Sequence, residues 1–180
     1  MPPFPVSELL VMSWSAGSPR DSSLFTSWGV LYRFETALER KKTVTTIWRA
    51  ISETKQERVA RFEWNADGDL GRALIGRSSI PMADLVRRNG DHRCWTGPDG
   101  YEYTWTQSTT TPGEILLYDP NGIVIALYRK VPPRRWDIGE VVTTDGELHF
   151  FSNAGSRTVT HPPMMDLVVL SIMLHRMVIR

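Results

Sequence analysis

From Trp28 to about Phe151 the chain runs as short stretches rich in Val, Ile, Thr, Tyr, Phe and Trp, broken by Gly, Asp, Asn and Pro. This is the pattern of a β meander. Tyr101, Tyr103 and Trp105 alternate with Glu102, Thr104 and Thr106, and Val59, Arg61 and Glu63 alternate with Ala60, Phe62 and Trp64. Such alternation predicts strands with one wet face. Strands are expected at residues 29–36, 45–52, 58–64, 71–77, 92–96, 101–107, 115–118, 123–129, 136–143 and 148–152. Four connections carry Asp67-Gly68, Asp99-Gly100, Asn121-Gly122 and Asp145-Gly146, steps that tolerate the positive φ of tight turns. The strongest hairpin is expected around Asp119-Pro120-Asn121-Gly122, where two apolar runs flank a compact turn. After Pro81, residues 82–88 read as a short helix or a loop.

The periodicity changes at the C-terminal end. After Pro162-Pro163, the polar residues of the run up to Ile179 are Asp166, Ser171, His175 and Arg176. A helix over 164–180 is expected, apolar on nearly every side and therefore buried. About 20 apolar residues are needed to span a bilayer and this run holds about 15, so burial in protein is expected, with no transmembrane segment. Asp166 near the start and Arg176 near the end suit the helix dipole. The expected architecture is a mainly antiparallel β domain over residues 28–180 with its terminal helix enclosed. Residues 1–27 are expected to be a partly disordered leader with one short ordered piece at 6–14.

A chain of 180 residues is long enough for one well-filled core, and one domain is expected. The 21 basic and 20 acidic residues leave a net charge of +1, so no global field draws the protein to nucleic acid. Cys94 is the single cysteine, so an internal disulfide is excluded. The apolar N-terminal stretch lacks a positive leading region and carries Glu8, unlike a secretory signal. A reducing, cytoplasmic location is expected.

Thr45-Thr46-Ile47-Trp48-Arg49, Val59 to Trp64, the Asp-Gly-Tyr-Glu-Tyr-Thr-Trp run, Leu117-Tyr118-Asp119 with Ala126 to Arg129, and the apolar terminal helix together resemble a family of uncharacterised fungal proteins. That family is similar to the tubby-like fold, which includes phospholipid scramblases and plant LURP-one-related proteins. The resemblance implies a closed antiparallel β-barrel of about twelve strands threaded by the C-terminal helix. The cysteine-rich segment and membrane anchor of scramblases have no counterpart here.

Arg129, Lys130, Arg134 and Arg135 cluster around Pro132-Pro133 with no acid between them, and Arg40-Lys41-Lys42 form a second cluster. Seventeen of the 21 basic residues are Arg, whose planar fork suits phosphate. Arg129, Lys130, Arg134 and Arg135 are the expected ligand-binding residues, and the expected function is a non-catalytic binding module for anionic lipid head groups or a protein partner. The alternative is an enzyme or carrier holding a hydrophobic small molecule in a barrel pocket lined by some of the seven Trp. Between Cys94 and Tyr128 there are four acids and no Lys or Arg, so the surface charge is expected to be divided. His92 and Cys94 would share a strand face, but two ligands do not make a metal site. His149 and His161 read as isolated, and Ser171 with His175 as a polar pair inside the core. Nucleophile-elbow, phosphate-loop, dinucleotide and zinc-protease motifs are absent from the sequence, so no cofactor or metal is expected.

Overall fold

The computed structural model describes residues 8–151 and 162–178. Its strands are β1 (Glu8–Ser15), β2 (Ser22–Thr26), β3 (Gly29–Glu39), β4 (Lys42–Ala50), β5 (Gln56–Glu63), β6 (Arg72–Ile75) and β7 (Ser78–Pro81). They continue with β8 (Arg87–Asn89), β9 (His92–Thr96), β10 (Glu102–Gln107), β11 (Glu114–Tyr118), β12 (Val124–Asp137) and β13 (Val141–Phe151). One helix follows, α1 (Met164–Val178). Residues 179 and 180, expected to end that helix, lie outside the described residues.

All thirteen strands form one antiparallel sheet in the order β7-β6-β5-β4-β3-β2-β1-β13-β12-β11-β10-β9-β8. Each neighbour in that order is also a neighbour in sequence, except where β1 meets β13. The sheet is therefore two meanders zipped together along β1 and β13. Glu8–Ser15 and Ser22–Thr26 sit in its middle, so the domain begins earlier than the expected residue 28. Trp14 and Leu24 explain the placement, because both side chains are wholly buried in the core.

Eleven of the fifteen residues of α1 are buried, on every side of its axis. The sheet reaches the helix from several directions. Tyr32 on β3 and Arg49 on β4 hold Asp166, and Trp105 on β10 donates to the Ser171 hydroxyl at 2.9 Å. Trp14 on β1 and Tyr128 on β12 lie against Arg176. The strands thus curl around the helix, and large aromatics including Trp14, Tyr32, Phe34, Phe62, Trp95, Trp105 and Phe150 fill the space between.

The expected closed barrel is met only in part. No ladder joins β7 to β8, the two ends of the strand order, among the described residues. A 3-10 turn, Met82–Leu85, connects these two strands directly, and Met82 and Leu85 are buried in the main core. That turn replaces the short helix allowed at 82–88, and its end gives way to β8.

The strongest expected hairpin is present as β11 and β12. The Asp119 carboxylate accepts from the backbone N–H of Asn121 and Ile123, each at 2.9 Å, and Gly122 takes φ 77°. Asp145-Gly146, in contrast, is no turn; it lies inside β13. An added Cβ at Gly146 would stand 2.9 Å from the Tyr128 hydroxyl, so glycine is required there for close approach. The true β12–β13 turn spans residues 138–140, inside the expected strand 136–143.

Candidate functional site

The ladders sort the loops into two groups at opposite ends of the sheet. Glu39 pairs with Lys42 at the β3–β4 turn, Ser22 with Phe34, Ser15 with Thr144, and Thr144 with Arg134. Following these pairs from strand to strand, the β3–β4 turn and the β12–β13 turn fall at the same end. This is also the end where α1 finishes, beside Trp14 and Tyr128.

The β3–β4 turn consists of Arg40 and Lys41, at φ 48° and 67°. A two-residue hairpin turn of this kind favours Asn-Gly, so two basic residues there carry a conformational cost. Arg40, Lys41 and Lys42 are exposed, and Leu38 beside them is 75% exposed. Lys42 approaches Glu63 at 3.9 Å.

The second basic segment follows from an irregularity in β12. Val131, Pro132 and Pro133 lie between Lys130, opposite Gly146, and Arg134, opposite Thr144. Proline cannot donate to a ladder and favours such bulges. Lys130, Arg134 and Arg135 are exposed. Arg134 stacks over the Trp136 ring at 3.9 Å, and Trp136 is held in turn by a 2.8 Å bond to Thr144 and an edge contact with Phe25. Val141 across this turn is 58% exposed. Arg40, Lys41, Lys130, Arg134 and Arg135 form no ion pair with the described residues. Asp137 and Glu140 share the second turn and temper its charge.

Arg129, expected in the same site, is placed differently. It lies opposite Glu147 and approaches that carboxylate at 3.9 Å, while His149 contacts the same group at 2.7 Å. Strand alternation sends Arg129 to the face away from Tyr128 and into this charged group.

Beneath the basic end lies a buried polar group that sequence reasoning did not find. The Arg176 guanidinium sits 4.6 Å from the Trp14 ring and 4.9 Å from the Tyr128 ring. Its Nη1, the Tyr128 hydroxyl and Asp145 Oδ1 are buried with no hydrogen-bond partner among the described residues. Burial pulls the Arg176 pKa down, opposed by Tyr128 and Asp145, and burial raises that of Tyr128, opposed by Arg176. Neighbouring aromatic faces supply part of the stabilisation water would have given.

At the other end of the helix Asp166 accepts from Tyr32 at 2.5 Å and from Arg49 at 2.9 Å, and Arg49 also reaches Glu57 at 2.8 Å. Burial, followed by Asp166, drives the Tyr32 hydroxyl strongly upward. Burial alone would lower Arg49, but the bond to Asp166 and its charge outweigh it and move Arg49 upward. Near this end a cleft of about 770 Å³ opens between the β2–β3 turn and the β4–β5 loop, with Trp28, Trp48, Ile51 and Arg33 on its walls.

The remaining expected groups lie at separate places in the fold where they are described. His92 is exposed and near Thr106, and Cys94 is buried beside Thr104. No set of three or more metal-ligating side chains occurs among the described residues. Ser171 does not pair with His175; it accepts from Trp105 and donates to the Val168 carbonyl at 3.0 Å. His175 Nδ1 has no partner among the described residues. His149 is not isolated, as Glu147 shows, and His161 lies outside the described residues. No helix among the described residues is long and apolar enough to cross a membrane.

No curated protein and no solved structure matches the chain significantly. The sequence pattern of a family described as "Family of unknown function (DUF6593)" matches residues 17–177, from the loop after β1 to the penultimate described residue of α1. The match covers β2 to β13 and the helix they enclose, and the chain belongs to the DUF6593 family.

Proposed function

We propose that the protein is a non-catalytic module that docks on anionic lipid head groups through the end of the sheet carrying the β3–β4 and β12–β13 turns. The observation that carries this reading is that two basic segments, Arg40 to Lys42 and Lys130 to Arg135, lie towards one end of the sheet, with exposed Leu38 beside one and exposed Val141 near the other. Basic side chains near an anionic surface contribute about 1 kcal/mol each, and an apolar tip adds insertion into the interface. Arg134 suits the role because Trp136 holds its guanidinium in place before a ligand arrives. Lys130 and Arg135 extend the same surface, while Arg129, turned towards Glu147, stays outside it.

The architecture is read here as tubby-like, with the sheet closing across β7 and β8. Two features support closure: these strands are consecutive in the chain, and the buried 3-10 turn bridges them.

Vesicle flotation tests the docking role, using phosphatidylcholine vesicles with and without a phosphoinositide. Binding is expected only with the anionic lipid, and about 0.5 M salt should weaken it severalfold. Lys41→Glu combined with Arg135→Glu should reduce binding at least tenfold, and Leu38→Asp severalfold. Negligible binding to both vesicle types would refute the lipid reading and leave a protein partner as the alternative for this surface.

A further inference from the structure

We infer that the cleft between the β2–β3 turn and the β4–β5 loop is a second binding site, built for a small amphiphile with one apolar chain and an anionic oxygen group. Its volume of about 770 Å³ lies within the range of small-molecule sites, roughly 300–1,000 Å³. Its position, on the outer face and towards the opposite end from the basic turns, makes it independent of the docking surface proposed above.

Two donors on one wall specify the polar part of the ligand. Arg33 on β3 and Trp48 on β4 are direct cross-strand partners, and both line the cleft. They lie on the face opposite to that of Tyr32 and Arg49, the neighbouring pair that points at the helix. The Trp48 indole N–H is buried and has no hydrogen-bond partner among the described residues. Buried donors in native proteins are nearly always satisfied, so this one identifies a place where an acceptor belongs. The Arg33 guanidinium also lacks an ion-pair or side-chain hydrogen-bond partner among the described residues. A carboxylate or phosphate oxygen would pair with the Arg33 guanidinium, and a turn of the Trp48 ring would bring its covered N–H to the same acceptor, since a charged acceptor forms the stronger bonds with both donors. Lys55 adds a second cation to the lining, against the single acid Glu53.

The remaining walls specify the apolar part. Val30, Leu31 and Ile51 line the cleft, with Ile51 57% exposed. Trp28 stands at the β2–β3 turn with 96% of its surface open to solvent. An indole left so exposed gains little from the fold itself; laid over an apolar chain it would lose that contact with water. The arrangement therefore has donors deep on the strand wall and an aromatic flap at the turn.

Isothermal titration with dodecanoate and with dodecyl phosphate, both below micelle formation, tests the site. One equivalent of at least one of them is expected to bind at submillimolar concentration, and the tighter of the two tells whether carboxylate or phosphate is the natural group. Dodecanol should bind at least tenfold more weakly, since it keeps the chain and loses the charge. Trp28→Ala, at a residue with almost no packing role, should weaken binding at least fivefold; Arg33→Gln and Trp48→Phe should do so at least tenfold. Circular dichroism of each variant verifies folding. Absence of binding by both anions at about millimolar concentration overturns the inference. So does binding that all three folded variants retain unchanged. Loss of vesicle docking in the Lys41 and Arg135 variant with dodecanoate binding intact would separate the two surfaces.

Discussion

His175 shows how much a single buried residue can fix. It lies 3% exposed on α1, its Nδ1 has no partner among the described residues, and burial together with the charge of Arg93 pushes its pKa down to about 4. The folded protein therefore keeps His175 neutral where an unfolded chain would protonate it, near pH 6.5. Because the unfolded state binds the extra proton between about pH 6.5 and 4, stability falls as pH falls through that window and this contribution levels off below it. The total is about 3 kcal/mol, taking 1.36 kcal/mol for each pKa unit. His175→Leu should remove that part of the acid sensitivity, which urea unfolding at pH 7 and pH 4.5 would measure as a smaller loss than in the native sequence. Equal losses in the two proteins would show that His175 does not titrate on unfolding. The sequence marked His175 as buried but assigned it to Ser171, four residues away on the same face. Trp105 comes from a strand more than sixty positions earlier and claims the hydroxyl instead, a contact that helical spacing cannot register.

At the scale of elements the apolar helix was the most legible part, since a helix without a polar face has few places to go. What pins its ends was hidden. Asp166 read as a dipole partner, yet it is the acceptor for Tyr32 and Arg49 from two strands. Side-chain exposures of 13% and 10% make the Arg49–Asp166 pair largely dry. Removing Arg49 leaves the buried Asp166 charge with the Tyr32 hydroxyl alone, at a cost of up to about 3–5 kcal/mol. Arg49→Ala should therefore lower the unfolding free energy by about that amount. Arg49→Met with Asp166→Leu should cost less than the sum of the single changes at those sites, as measured in a double-mutant cycle. Additive costs would show that the pair is not coupled. The hairpin around Asn121-Gly122 was legible because its signal is local, whereas Asp145-Gly146 carries the same signal for a different reason. Only the Tyr128 ring packed over Gly146, on the neighbouring strand, distinguishes a turn from a close approach.

The whole molecule depends on one distant pairing. β1 and β13 lie at opposite ends of the described chain, yet Val11 pairs with His149 and Met12 with Leu148. No local pattern encodes that match, which is why residues 8–26 read as a leader. The two outermost strands in the order, β7 and β8, are four and three residues long and share no ladder with each other among the described residues. Backbone amides in β7 and β8 should exchange with solvent before those of β12 and β13, a difference that hydrogen exchange resolved by mass spectrometry would detect. Equal protection would mean that β7 and β8 are as securely paired as the centre. Of the candidate surfaces, the basic residues were visible as a cluster, but that two clusters reach one end required the ladders between them. The cleft at Trp28 and Trp48 depends on two loops that join four neighbouring strands and left no trace in any single segment.

The order in which the chain is made gives the enclosed helix a further consequence. Every strand leaves the ribosome before α1 does, so the nascent polypeptide presents thirteen β segments with inward aromatic faces and nothing for them to surround. Val168 to Leu174 emerge after all of these strands and supply the missing centre. Folding is therefore confined to the moments after synthesis of the helix, and until then the exposed strands are the stretch of the protein's life in which chaperones must keep neighbouring copies apart.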